Sequence, residues 1–202
     1  MTIKATIWDF SGVILQPRVA DPHAFIASEL GVPAEEIRKY FDGVRNFNMD
    51  IGEESEQDFY MRMIKELGLP KDDKKIFDDY LFDLFEVNRE LIDFIAWSKP
   101  KIKPALCSNF SASLRPLIRD KYKIENLFDA IVVSSEVKML KPQAEIYQLT
   151  LQQLGVMPQE ALFIDDQEKN IEGAEAVGLR GIVYKNAAQT LPQIINIINF
   201  QT

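Results

Sequence analysis

At Ile7-Trp8-Asp9 a carboxylate follows an apolar run, and a small residue and a glycine, Ser11 and Gly12, turn the chain behind it. Further along, Ser108 and Asn109 follow a second apolar run, Lys141 precedes Pro142, and two adjacent acids, Asp165 and Asp166, follow a third run. The chemistry of these groups is complementary. Asp9 with Asp166 makes an oxygen site for a hard cation such as Mg²⁺. Ser108, Lys141 and free backbone N–H groups suit phosphate oxygens. A carboxylate beside a metal-bound phosphate can attack phosphorus and form an acyl phosphate, since Asp is an established nucleophile in phosphoryl transfer. Magnesium and lysine together offset the repulsion between that carboxylate and a dianionic substrate. The neighbouring acids Asp165 and Asp166 repel one another unless a cation relieves them.

These residues act together only if strands deliver them to one place. Four short apolar runs read as buried strands: Ile3 to Trp8, Ile102 to Cys107, Ala130 to Val133 and Ala161 to Ile164, with Gly181 to Tyr184 as a fifth. Helical patterns lie between them. Gln143 to Leu154 stops at Gly155, Asn170 to Val177 stops at Gly178, and Thr190-Leu191-Pro192 opens a last helix. Alternating strands and helices imply a parallel sheet covered on both faces, and open α/β sheets bind ligands at the carboxyl ends of their strands. One connection is too long. A crossover needs a dozen or more residues, yet about ninety separate the first two strands. The excess reads as helices: Asp21-Pro22 opens one, Leu30-Gly31 and Leu67-Gly68 close two, and Ser55 to Asp58 is a capping box before Phe59, Tyr60, Met63, Ile64 and Leu67.

Composition bounds the partners. The chain has 202 residues, 47% of them hydrophobic, and a net charge of −8. That acidity argues against a nucleic-acid or anionic-membrane partner. The lone cysteine, Cys107, excludes an intrachain disulfide and fits a reducing compartment. With Asp9 interrupting the first apolar stretch and no uncharged membrane span, a cytoplasmic protein is expected.

The segments "DFSGV", "LCSN", "KPQAEIY" and "FIDDQEKNIEGAEAVG" resemble, in order and spacing, the four motifs of the haloacid dehalogenase-like (HAD) hydrolases. The resemblance implies an α/β fold, a Rossmann-like parallel sheet core (residues 1–15 and 86–202) with an inserted α-helical cap domain (16–85). It implies Asp9 as nucleophile and Mg²⁺ ligand, the carbonyl of Ser11 as a second ligand, and Asp166 as a third with Asp165 in or near the metal shell. It implies that Ser108 and Lys141 hold the phosphate of a small metabolite, helped by the backbone at Asn109 and Gly12. The dehalogenases of the family lack the acidic pair, so phosphoryl chemistry is favoured.

Ser11 departs from the pattern, because most phosphatases of the family carry an Asp there that protonates the leaving oxygen and then activates water. A serine hydroxyl does neither readily. Three outcomes follow: substrates that need little protonation, an acid recruited from the cap among Asp50, Glu53 and Glu54, or a non-catalytic binding protein. Of the remaining residues, Cys107 reads as core, the only histidine, His23, as surface, and "KDDKK" at 71–75 as a solvated helix start. Tyr40, Phe41, Phe47, Phe59 and Tyr60 read as mostly cap core with one or two facing the substrate.

Overall fold

The computed structural model describes residues 2–41, 44, 46–80 and 83–199. Among these, five parallel strands form the central sheet in the order β5-β4-β1-β6-β7. They are β1 (Ala5–Trp8), β4 (Lys103–Ser108), β5 (Ala130–Val133), β6 (Ala161–Asp165) and β7 (Arg180–Val183). The fifth strand is present, and each expected strand lies within two residues of its expected bounds. Two further strands, β2 (Leu15–Pro17) and β3 (Phe85–Val87), pair antiparallel. They were not foreseen, because three residues are too few to show a period of two. This ribbon lies across the sequence positions where the helical insertion was expected to begin and end.

Both sheet faces are buried, as parallel strands require. On one face Trp8, Leu106, Leu162 and Ile164 pack with Leu91, Phe94 and Ile95 of a helix, Arg89–Ser98. Sequence reading passed over that helix, although Asn88 caps it by accepting a bond from Leu91 N (3.3 Å). On the other face Ile7, Cys107 and Phe163 pack with Ile146 and Tyr147 of Ala144–Leu154 and Ile171 of Glu168–Ala176. The last helix runs Ala187–Asn199 and so begins three residues before Thr190. Asn186 caps it by accepting from Gln189 N (2.9 Å), and Pro192 lies inside.

Between β2 and β3 the chain forms helices with their own apolar cluster, including Ile26, Ile37, Tyr40, Phe59 and Met63. Asp21 and Ser55 cap Pro22–Leu30 and Glu56–Glu66 as expected. Residues 71–74 form a 3₁₀ turn before a helix at Lys75–Tyr80, so "KDDKK" does open a helix. Phe47 is 44% exposed and does not join the cluster.

The helical module touches the core at Gly52, whose φ is +72° and where a Cβ would fall 2.3 Å from the Ser135 carbonyl oxygen. Gly31 is also left-handed, but open space surrounds it. Gly31→Ala should therefore cost only the backbone term of about 1 kcal/mol, whereas Gly52→Ala must also push the two modules apart. Thermal unfolding should show the larger loss for Gly52→Ala; equal losses would contradict this contact.

Candidate active site

Strand register creates the site. Trp8 pairs with Leu106 on one side and Ile164 on the other, so Asp9 emerges level with Asp165, and Ser108 lies one residue further along its strand. Asp9 N donates to Ile164 O (2.9 Å), which extends the pairing to the carboxylate itself. Three donors then converge on Asp9 Oδ1: Phe10 N (2.7 Å), Ser108 Oγ (2.8 Å) and Lys141 Nζ (2.8 Å).

Lys141 reaches this point from the loop before Ala144–Leu154, and its peptide bond to Pro142 is cis. The Asn109 side chain fixes its backbone: Asn109 Nδ2 donates to Lys141 O (3.0 Å), and Lys141 N donates to Asn109 Oδ1 (2.8 Å). The ammonium is buried, 5.5 Å from the Phe163 ring centroid, and bridges Asp9 to Asp165 Oδ2 (2.6 Å). Burial alone would lower the lysine pKa, but the charges of Asp9 and Asp165 outweigh it and hold the ammonium above its ordinary value. Burial raises the Asp9 pKa, with Lys141 opposing.

Asp165 also accepts from Asn170 Nδ2 at both oxygens (3.0 Å each) and from Gln167 N (2.8 Å). Asn170, in the first turn of the helix Glu168–Ala176, thus bonds back to the end of β6. Asp166 is more exposed, and burial and the charges of Asp9 and Asp165 push its pKa up to about 6. Gly12 (φ +82°) lets the turn after β1 approach, since a Cβ there would lie 2.6 Å from Asp166 Oδ2. The turn is closed by Gly12 N to Leu15 O (2.9 Å) and Leu15 N to Phe10 O (2.7 Å).

The donor set fits Mg²⁺. Oxygens of Asp9, Asp165 and Asp166 lie within 4.8 Å of one another, with one ammonium against three carboxylates. Hard oxygen ligands carrying surplus negative charge are what a divalent cation requires.

A cavity of about 430 Å³ opens above these groups, within the usual ~300–1,000 Å³ of small-molecule sites. Asp9, Ser11, Asn109 and Lys141 line its core side, and His23, Phe41, Asn46, Asp50, Glu56 and Tyr60 its helical side. His23 therefore stands in the cavity wall, stacked on Phe41 (5.1 Å), rather than on open surface. Phe41 and Tyr60 are the two aromatic residues of the expected cluster that face the cavity. Cys107 is core, its thiol pushed up to about 11 by burial. Of the cap carboxylates, only Asp50 is both on the expected set and in the wall. Glu53 is exposed, and Glu54 is held by Arg62 (2.8 Å at each oxygen). Glu56 and Ser134 escaped sequence reading. Glu56 accepts from Ser111 Oγ (2.7 Å) and Ser113 Oγ (2.9 Å), and Ser134 Oγ donates to Asp50 O (2.6 Å). The serines that follow the strands, Ser111, Ser113 and Ser134, were the available signal.

Lys141→Met should destabilise the fold by about 3–5 kcal/mol at pH 7, because two buried carboxylates lose their counter-charge. Denaturant unfolding measures this, and a loss below about 1 kcal/mol would contradict the ion-pair geometry.

Known proteins resemble the chain over most of its length. A phosphorylated carbohydrates phosphatase of Thermotoga maritima is 27% identical over 190 residues, covering 89% of this chain and 84% of its own. A D-ribitol-5-phosphate phosphatase of Bacteroides thetaiotaomicron is 24% identical, covering 98% and 99%. The fold superposes on a HAD family enzyme of Bacteroides thetaiotaomicron with a TM-score of 0.78 at 19% identity, covering 95% of this chain and 99% of that one. The same enzyme was solved with magnesium and inorganic phosphate (TM-score 0.75, 22% identity, 91% and 94% covered). The family model for haloacid dehalogenase-like hydrolases matches residues 3–178, most of the sheet and every group described above, and the chain belongs to that family.

Proposed function

We propose that this protein is a Mg²⁺-dependent phosphomonoester hydrolase acting on a small phosphorylated metabolite through a phosphoryl intermediate on Asp9. The observation that carries the reading is the Asp9 carboxylate at the floor of the cavity, with one oxygen fixed by three donors. Fixing Oδ1 orients the second oxygen, and a pre-oriented nucleophile avoids an entropic cost at the moment of attack.

Asp9, the Ser11 carbonyl and Asp166 would hold the Mg²⁺, with Asp165 close by but committed to Lys141, Asn170 and Gln167. When bound, the ion neutralises phosphate charge beside the carboxylates. Asp9 attacks phosphorus, and the ester oxygen departs with the bonding electrons. Lys141 balances the incoming negative charge and the backbone N–H of Asn109 donates to a phosphoryl oxygen, whereas Gly12 N is committed to Leu15 O and Ser108 reaches the phosphate only by turning its hydroxyl away from Asp9. Water then cleaves the acyl phosphate and frees Asp9. The names of the relatives favour a sugar or polyol phosphate among small metabolites. A second reading, a non-catalytic phosphate-binding protein, is favoured by Ser11 alone.

A panel of phosphorylated metabolites with free-phosphate detection, with and without Mg²⁺, tests the two. Turnover that requires Mg²⁺ supports the hydrolase; phosphate binding without turnover supports the second reading. Asp9→Asn should lower kcat on the order of 10⁴-fold or more while leaving the fold intact, and near-normal turnover would refute the covalent route. Asp166→Ala should weaken Mg²⁺ more than about tenfold in calorimetric titration. Unchanged affinity would refute the ligand assignment.

A further inference from the structure

The hydrolase reading leaves one proton without a donor. An alkoxide leaving group needs protonation, and Ser11 has no acidic group to supply it. Four cap carboxylates lie between positions 50 and 56, and two of them, Asp50 and Glu56, line the cavity. Glu53 points to solvent, Glu54 is paired with Arg62, and Glu56 is tied to Ser111 and Ser113. Asp50 lines the same cavity as Asp9. Its helix, Phe47–Asp50, is fastened to the core at the Asp50 carbonyl by Ser134 Oγ (2.6 Å), and Gly52 lies against the Ser135 carbonyl. The Asn46 amide holds its Oδ2 (3.0 Å). The Asp50 backbone is therefore fastened to the sheet side of the molecule, while its carboxyl, held by Asn46 of the cap, lines the cavity.

We propose that Asp50 is the general acid and base of this site, replacing the carboxylate that position 11 lacks. The proposal rests on the hydrolase reading. In the first step the Asp9 carboxylate forms a bond to phosphorus and the P–O bond to the organic group breaks. Its electron pair stays on the leaving oxygen, which takes the proton of the Asp50 carboxylic acid, so an alcohol leaves and Asp50 becomes a carboxylate. In the second step Asp50 removes a proton from water as the water oxygen bonds to phosphorus. The Asp9–phosphorus bond breaks, Asp9 regains its carboxylate, and inorganic phosphate leaves.

The local electrostatics fit both halves of the cycle. Burial, and then the charge of Glu56, push Asp50 up to about 7, where acid and base forms are both populated near neutrality. The other charged or titratable groups lining the cavity are His23 and Tyr60 from the cap and Asp9, Lys141 and Lys169 from the core wall, and of the charged groups Glu56 is the one that acts on Asp50. Glu136 on the adjoining core helix is held by Arg115 (2.8 Å). His23 is the rival proton donor, but burial lowers its pKa and favours the neutral ring.

The test is kcat/KM across leaving groups, from aryl to alkyl phosphates, for wild type, Asp50→Asn, the double variant Asp50→Asn/Ser11→Asp, His23→Asn and the surface control Glu53→Gln. Wild type should show a shallow dependence on leaving-group pKa. Asp50→Asn should lose ~10²–10³-fold on alkyl phosphates and about threefold or less on aryl phosphates, which need little protonation. The alkyl loss should be largest below pH 7, where wild-type Asp50 is protonated, and should shrink above it. Restoring a carboxylate at position 11 should recover at least ~10-fold of the alkyl loss, which a purely structural role for Asp50 would not allow. Asp50→Asn should melt with wild type below about pH 4, and should exceed it by a growing margin as the pH rises to 8. The raised pKa makes the ionised carboxylate a cost to the folded state that is absent at low pH. A steep wild-type dependence, or an alkyl loss that appears in His23→Asn instead, overturns the proposal. Turnover in wild type with unchanged alkyl rates in Asp50→Asn removes this proposal alone. Absence of turnover in wild type on every substrate removes the hydrolase reading and this proposal with it.

Discussion

A single buried ammonium organises this protein. Lys141 Nζ sits between Asp9 (2.8 Å) and Asp165 (2.6 Å), with side-chain exposures of 1%, 7% and 0% for the three residues. Removing three charges from water is costly, and the arrangement persists only because each group has several partners. Asp9 takes donors from the backbone and Ser108, Asp165 from Asn170 and Gln167 N, and the Lys141 backbone is held by Asn109. Asp9 must therefore lie level with Asp165 and within one residue of Ser108, which the parallel register provides. Three carboxylates around one ammonium still leave surplus negative charge, which makes the site receptive to a divalent cation.

Much of this was legible in the chain. Asp9, Ser108 and the Asp165-Asp166 pair each follow an apolar run, and strand ends in a parallel sheet bring such residues together whatever lies between them. Lys141 follows no strand directly, and it was legible because a proline and a helical pattern come next. The ribbon of β2 and β3 was hidden by its length. The start of the last helix was misplaced because Pro192 looked like a first-turn residue, while Asn186, which does the capping, lies six residues earlier. The side of the cavity formed by the cap was the least legible. No short-range pattern tells a reader that Asp50 turns inward while Glu53 stays in solvent, since both facts depend on how Ser134 and Ser135 meet the cap.

The division of labour follows from that meeting. The sheet fixes the groups that the proposed reaction assigns to phosphorus, which must be rigid. The helical module supplies aromatic surface at Phe41 and Tyr60 and polar groups at Asn46 and Asp50, which can vary without disturbing the ion cluster. In the proposed reaction Ser11 keeps its backbone in the turn while its side chain leaves the proton chemistry to another part of the molecule. A loss on one side of the cavity can thus be met from the other, provided the two sides are held in register by a few hydrogen bonds.

The claim at the centre of this account is that Asp9 carries the phosphoryl group. The most direct measurement is rapid acid quenching of the enzyme during turnover, with Mg²⁺ and saturating substrate, followed by peptide mass spectrometry. The account expects one added phosphoryl group on the peptide containing Asp9, forming as fast as alcohol is released and absent from Asp9→Asn. Turnover with no such adduct at any quench time, or an adduct on another residue that forms at the catalytic rate, would contradict it.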